Sequence, residues 1–142
     1  MGKLLERLKD TSRSGVYRAP REDVILEVVR GSGLDVLDLS FQGLEGKDQF
    51  LQHLAKALGF PRWFGGNWDA LEDCLIDLSW RDAPGWVLIF RNFDGLPRDD
   101  LGVLIDILAS CAEYWAGRGK LFFAVFVDPQ GALQLPDLYR EK

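Results

Sequence analysis

Sulfur and histidine are scarce in this chain: its 142 residues include two cysteines, one methionine and one histidine. Cys74 and Cys111 both fall on apolar helix faces and read as small buried hydrophobes, so neither a disulfide nor a metal site is expected. His53 falls on the polar face of its helix, where it reads as a solvated side chain and not as a catalyst. No phosphate-binding loop or nucleophile motif is present, since "GLEGK" and "GRGK" are too short and misplaced. Long apolar runs are missing as well. Nothing approaches the roughly 20 residues that span a bilayer, and the opening "MGKLLERLKD" is charged throughout, with no apolar signal-peptide core. The expectation is a cytoplasmic protein with no cofactor. Basic charge is in deficit too: 17 Lys and Arg against 22 Asp and Glu leave a net charge of −5. That balance disfavours nucleic acid or an anionic membrane as partner and favours a basic protein.

What the chain does have is apolar and aromatic. A hydrophobic fraction of 47% against 27% charged excludes general disorder, and the length suits one domain with a single sizeable core. The five Trp and nine Phe exceed what the core of a small domain usually needs. Along the chain, the first ten residues form a short amphipathic helix with Leu4, Leu5 and Leu8 together. "TSRSG" follows as a flexible connection. "APREDVILEVVRGSG" is ambiguous between strand and helix, and its flanking residues favour helix. "VLDLS" at 36–40 is a strand candidate. Phe50, Leu51, Leu54 and Leu58 then share one face of a helix closed by Gly59 and Pro61. "WVLIF" at 86–90 and "LFFAVFV" at 121–127 are continuous apolar runs, as strands covered on both faces require. Between them, Pro97 opens a long helix with an apolar stripe through Leu101, Leu104, Ile105, Leu108, Cys111, Ala112 and Trp115. "DPQGALQLPDLYREK" has no assignable pattern. Helices alternating with short buried strands predict an α/β fold with a small parallel sheet.

The stretch "FPRWFGGNWDALEDCL" at 60–75 carries the functional signal. Asn67 suits a helix N-cap and Asp69 the first turn, while Leu71, Cys74, Leu75 and Leu78 repeat at core spacing. At about 100° per residue, Asp69, Asp73, Ile76 and Trp80 then point away from the core. Asp69, Asp73 and Asp77 stack at successive i+4 positions, where each like-charge pair costs about 0.2–0.5 kcal/mol. Gly65 and Gly66 give a turn that brings Trp63 and Phe64 toward the same side. Aromatic anchors beside carboxylates fit a protein-binding hot spot. An acidic surface helix with aromatics folded back over the core is the ordinary reading of the same residues. Trp68, beside the cap, reads as packing.

Phe64-Gly65, Asn67, Asp69-Ala70-Leu71 and Asp73-Cys74, followed by an apolar helix and "WVLIF", resemble the barstar family of ribonuclease inhibitors. The resemblance covers residues 34–127. It leaves 1–33 as an N-terminal extension of helix and connection packed on the domain, and 128–142 as a C-terminal tail. It implies a three-layer barstar-like α/β fold with three or four parallel strands. It also implies a partner: a secreted or toxin-type ribonuclease whose active site receives the loop aromatics and helix acids, with no direct contact to nucleic acid or membrane. On that resemblance the partner-binding residues are Trp63, Phe64, Gly65, Asn67, Asp69, Asp73 and Ile76, with Glu113 supplying a later-helix acid, and the protein is expected to be a monomer. Trp63 is bulkier than the family's usual tyrosine, and Gly66 stands where the family can carry an acid. Two other readings stay open. In one, Asp69 and Asp73 serve an enzyme as an acid–base or metal-binding pair; in the other, the same face binds a different basic protein as a regulator.

Overall fold

The apolar runs at 86–90 and 121–127 can be buried only as the centre of a sheet covered on both faces, and the whole chain is arranged to cover them. A computed structural model describes residues 2–62 and 64–139. In chain order the elements are α1 (Gly2–Leu8), β1 (Gly15–Ala19), α2 (Asp23–Val28), β2 (Asp35–Ser40), α3 (Gly46–Leu58), α4 (Trp68–Leu75), β3 (Gly85–Arg91), α5 (Arg98–Ala116) and β4 (Leu121–Val127), with 3-10 turns at Thr11–Arg13 and Ser79–Arg81. The four strands pair in the order β1-β4-β3-β2, all parallel. This is the three-layer α/β arrangement expected, with β1 as the fourth strand.

Alternate residues of the central strands feed two cores. Trp86, Leu88, Phe90, Phe122, Ala124 and Phe126 pack with the apolar faces of α3, α4 and α5. Val87, Ile89, Leu121, Phe123 and Val125 pack with Leu4 and Leu8 of α1, Ile25 and Val28 of α2, and Leu138. From β1 the chain crosses the full width of the sheet through α2, then steps back from β2 to β3 to β4 over the opposite face. Reversing direction while switching faces keeps the crossovers of one hand, the preference of twisted parallel sheets. Among the described residues, no helix is long and apolar enough to cross a membrane.

Two segments depart from the sequence expectation. "TSRSG" is not a flexible connection. Asp10 accepts hydrogen bonds from the Ser12 backbone N–H at 3.0 Å and hydroxyl at 2.7 Å, which holds the 3-10 turn, and Gly15 already begins β1. Strand β1 was not expected because "GVYRA" has neither a continuous apolar run nor strict alternation; its pairing with β4 makes it a strand. The described part of the unassigned tail, which ends at residue 139, then lies along the free edge of β1. The Arg18 N–H donates to the Pro136 carbonyl and the Leu138 N–H donates to the Arg18 carbonyl, each at 2.9 Å. An unpaired strand edge is thereby blunted, and the Leu138 side chain is fully buried. The tail thus packs as core, so Leu138→Ala is expected to cost about 2–5 kcal/mol of stability in urea unfolding. A loss under about 0.5 kcal/mol would show that the tail is dispensable.

Candidate functional site

The loop between α3 and α4 is held from both ends. Gly59 ends α3 in the left-handed conformation at φ 68°, and Gly66 turns the chain again at φ 74°, a region open to glycine at no steric cost. Asn67 then caps α4, its side-chain oxygen accepting the Ala70 N–H at 2.8 Å. Within the loop the Phe64 N–H donates to the Pro61 carbonyl at 3.1 Å, and the Phe64 ring lies 5.0 Å from that of Phe60. Phe60 in turn meets the edge of Trp80 at 6.1 Å. Phe60, Phe64, Trp68 and Trp80 are half-buried against the core. Trp63 lies outside the described residues.

Helix α4 is shorter than the repeat of its apolar positions implies. It stops at Leu75, and Leu78 takes a left-handed conformation at φ 50° that breaks it. Leu78 is still buried, but through the following 3-10 turn. Trp80 therefore does not point to solvent from a helix. Its Nε1 donates to the Leu58 carbonyl at 3.0 Å, tying the turn to the end of α3. Arg81 fixes the same turn to β2 through two hydrogen bonds to Asp35, at 2.8 and 3.1 Å. Ile76 is half-buried on the core instead of lying free on the surface. Asp77 lies beyond the helix, so the expected stack of three acids reduces to Asp69 and Asp73.

Those two carboxylates are exposed one turn apart on the outer face of α4, opposite the buried Leu71, Cys74 and Leu75. Among the described residues neither forms an ion pair. Glu72 turns toward α5, where the Ser110 hydroxyl donates to it at 3.1 Å. Lower down, Trp115 Nε1 donates to the Leu75 carbonyl at 2.8 Å, so the second half of α5 runs beside α4. Glu113 is exposed on that half, three residues beyond Ser110 and hence on a neighbouring part of the helix surface. Gly65, Gly66 and Asn67 are exposed at the head of α4. Phe64, Gly65 and Asn67 thus lead directly into the helix whose outer face carries Asp69 and Asp73, with α5 alongside. An open cleft of about 530 Å³ between the β3–α5 loop and the tail is lined by none of these residues. Among the described residues no group of three or more His, Cys, Asp or Glu side chains could hold a metal ion.

A family model described as barstar (barnase inhibitor) matches residues 34–127, which include the loop, α4 and α5. The chain belongs to the barstar family. No curated protein matches it. The barstar match begins just before β2 and ends with β4, so α1, β1, α2 and the tail lie outside it.

The barstar-type loop was legible from Asn67 and the glycines, but the ties through Trp80 and Arg81 were not. Their partners, Leu58 and Asp35, lie 22 and 46 residues away, and no local pattern signals them. At the interface of α4 and α5, burial pushes the Cys74 thiol up to about 11, with Asp73 and Asp77 adding to the shift. Burial, aided by Glu72, pushes the Cys111 thiol to about 12. Both thiols are therefore protonated at pH 8 in the folded protein. A thiol-reactive disulfide reagent at that pH is expected to label neither cysteine until denaturant is added; rapid labelling of the native protein would overturn the burial. Asn67→Ala is expected to cost about 1 kcal/mol in thermal or urea unfolding through loss of the cap, and an unchanged stability would show that the cap carries no weight.

Proposed function

We propose that the chain inhibits a barnase-type ribonuclease by inserting the 60–67 loop and the outer face of α4 into the enzyme's active site. Residues 34–127 form the inhibitor unit, which acts as a cytoplasmic monomer against a secreted or toxin-type enzyme. The observation that carries this reading is the pair Asp69 and Asp73: two exposed carboxylates without ion pairs among the described residues, on a helix whose start is fixed by Asn67. A ribonuclease site that binds RNA phosphates presents Arg and Lys, and carboxylates in their place gain charge-assisted hydrogen bonds. Because the helix fixes the backbone that carries the two acids, only their own rotamers remain to be ordered on binding. In this reading Phe64, Gly65 and Trp63 supply apolar contact beside them, Ile76 adds to it, and Glu113 on α5 supplies a further acid. Support comes also from the family match, whose description names an inhibitor of barnase.

Titration calorimetry against a barnase-type ribonuclease, with RNA cleavage followed in parallel, tests the reading. Asp73→Ala is expected to weaken binding by at least about 2 kcal/mol, the mark of an anchoring contact, a threshold drawn in part from barnase–barstar complexes themselves. Its unfolding free energy is expected to stay within about 1 kcal/mol of the unaltered protein, since an exposed charge supports little of the fold. Equal losses in binding and stability would make Asp73 structural. Absence of binding by the unaltered protein would shift the face to a different basic partner.

A further inference from the structure

The chain segments that leave the carboxyl ends of β3 and β4 bound the open cleft of about 530 Å³. One wall is drawn from residues 93–101, inside the family match, and the other from residues 132–134, beyond it. Both walls are fixed from behind. The Leu96 N–H donates to the Phe93 carbonyl at 3.1 Å and closes a turn, and the Gly95 carbonyl in that turn accepts the Gly46 N–H at 3.0 Å. A Cβ at Gly95 would collide with the Leu44 carbonyl, so only glycine allows this close approach. The Phe93 ring stands edge-on to Phe126 at 5.2 Å. On the other wall the Asp128 carboxylate accepts the Leu133 N–H at 2.7 Å, the Asp128 carbonyl accepts the Gly131 N–H at 3.0 Å, and Arg18 Nε donates to the Leu135 carbonyl at 2.8 Å. The cleft is therefore preformed, with walls held in place by bonds within the chain.

Its volume falls within the roughly 300–1,000 Å³ of small-molecule sites, and the carboxyl edge of a parallel sheet is where open α/β folds place such sites. Phe93, Leu96, Leu101 and Leu133 give the cleft an apolar lining. Leu96 is buried, and the other three are half-buried against the core. The lining carries one charge of each sign. Asp94 and Arg98 are both exposed there, and among the described residues neither forms an ion pair, with the other or with any third group. Opposite charges that share a cleft without pairing complement the two charges of a zwitterion, and a guanidinium fork matches a carboxylate. We propose that this cleft binds an α-amino acid with a large apolar side chain, its carboxylate on Arg98, its ammonium on Asp94 and its side chain on the apolar lining. A carboxylic acid without the ammonium would leave Asp94 facing a like charge, and an amine without the carboxylate would do the same to Arg98. None of these residues belongs to the 60–67 loop or to α4, so the site is independent of the ribonuclease reading.

The test is calorimetric titration of the full chain with L-phenylalanine, with phenethylamine, which lacks the carboxylate, and with 3-phenylpropionate, which lacks the ammonium. Tm is followed in parallel at matched ionic strength and neutral pH. L-phenylalanine is expected to bind saturably and raise Tm, and each analogue to bind about tenfold more weakly, in line with losing one charge-assisted contact. Arg98→Gln is expected to weaken L-phenylalanine about tenfold while leaving phenethylamine unchanged, and Asp94→Asn to weaken it about tenfold while leaving 3-phenylpropionate unchanged. Both positions are exposed, so both variants are expected to keep native far-UV circular dichroism. Absence of a saturable response to L-phenylalanine at millimolar concentration, an analogue that binds as tightly as L-phenylalanine, or variants that bind it like the unaltered protein would overturn the site.

Discussion

Strands β3 and β4 are buried on both faces along almost their whole length, and every other element answers to that burial. A two-sided parallel sheet has no face to spare for water, so helices must lie on each side of it. α3, α4 and α5 cover one face. The other would be bare without α1, α2 and the tail, which lie outside the barstar match and supply Leu4, Leu8, Ile25, Val28 and Leu138. The residues around the family unit therefore complete its core.

The same burial sets the pose of the acidic helix. Leu71, Cys74 and Leu75 are sealed against the sheet side, and burying each leucine is worth about 1.5–3 kcal/mol. The repulsion between Asp69 and Asp73 costs about 0.2–0.5 kcal/mol, so packing decides the orientation and the carboxylates are carried outward. Trp115 reinforces it. Its ring packs on Trp86 at 4.7 Å while its Nε1 holds the Leu75 carbonyl. The Lys120 ammonium, 5.4 and 5.9 Å from the two rings, donates to Asp82 and to the Ala83 carbonyl and closes that corner.

Much of this was readable in the chain. The continuous runs announced β3 and β4, the apolar repeats announced α3, α5 and the inward face of α4, and Asn67 with Asp69 marked where α4 begins. The apolar stripe of the long helix differs from its sequence pattern: Ile107 is buried while Leu101 and Ile105 are half-buried, because α5 is flanked by α4 as well as by the sheet and buries a broader face than one stripe. β1 was missed because an edge strand of five residues has no pattern of its own. The end of α4 was missed for a related reason. The apolar spacing runs on through Leu78, yet the chain leaves the helix there and returns as a 3-10 turn pinned by Trp80 and Arg81.

By itself, then, the sequence determined the alternation of elements, the identity of the central strands, and the composition of the loop and helix that bear the acids. These depend on periodicity and capping, which act over a few residues. Only the tertiary structure decided that residues 15–19 join the sheet, that the tail covers their edge, that α4 stops at Leu75, and that Arg7 is buried against the tail. Each of those rests on partners far apart in the chain, such as Arg18 with Pro136 or Arg7 with Leu138. Hydrogen bonds and burial at that separation leave no trace in local order, because they are set by which surfaces remain uncovered after the central strands have been packed.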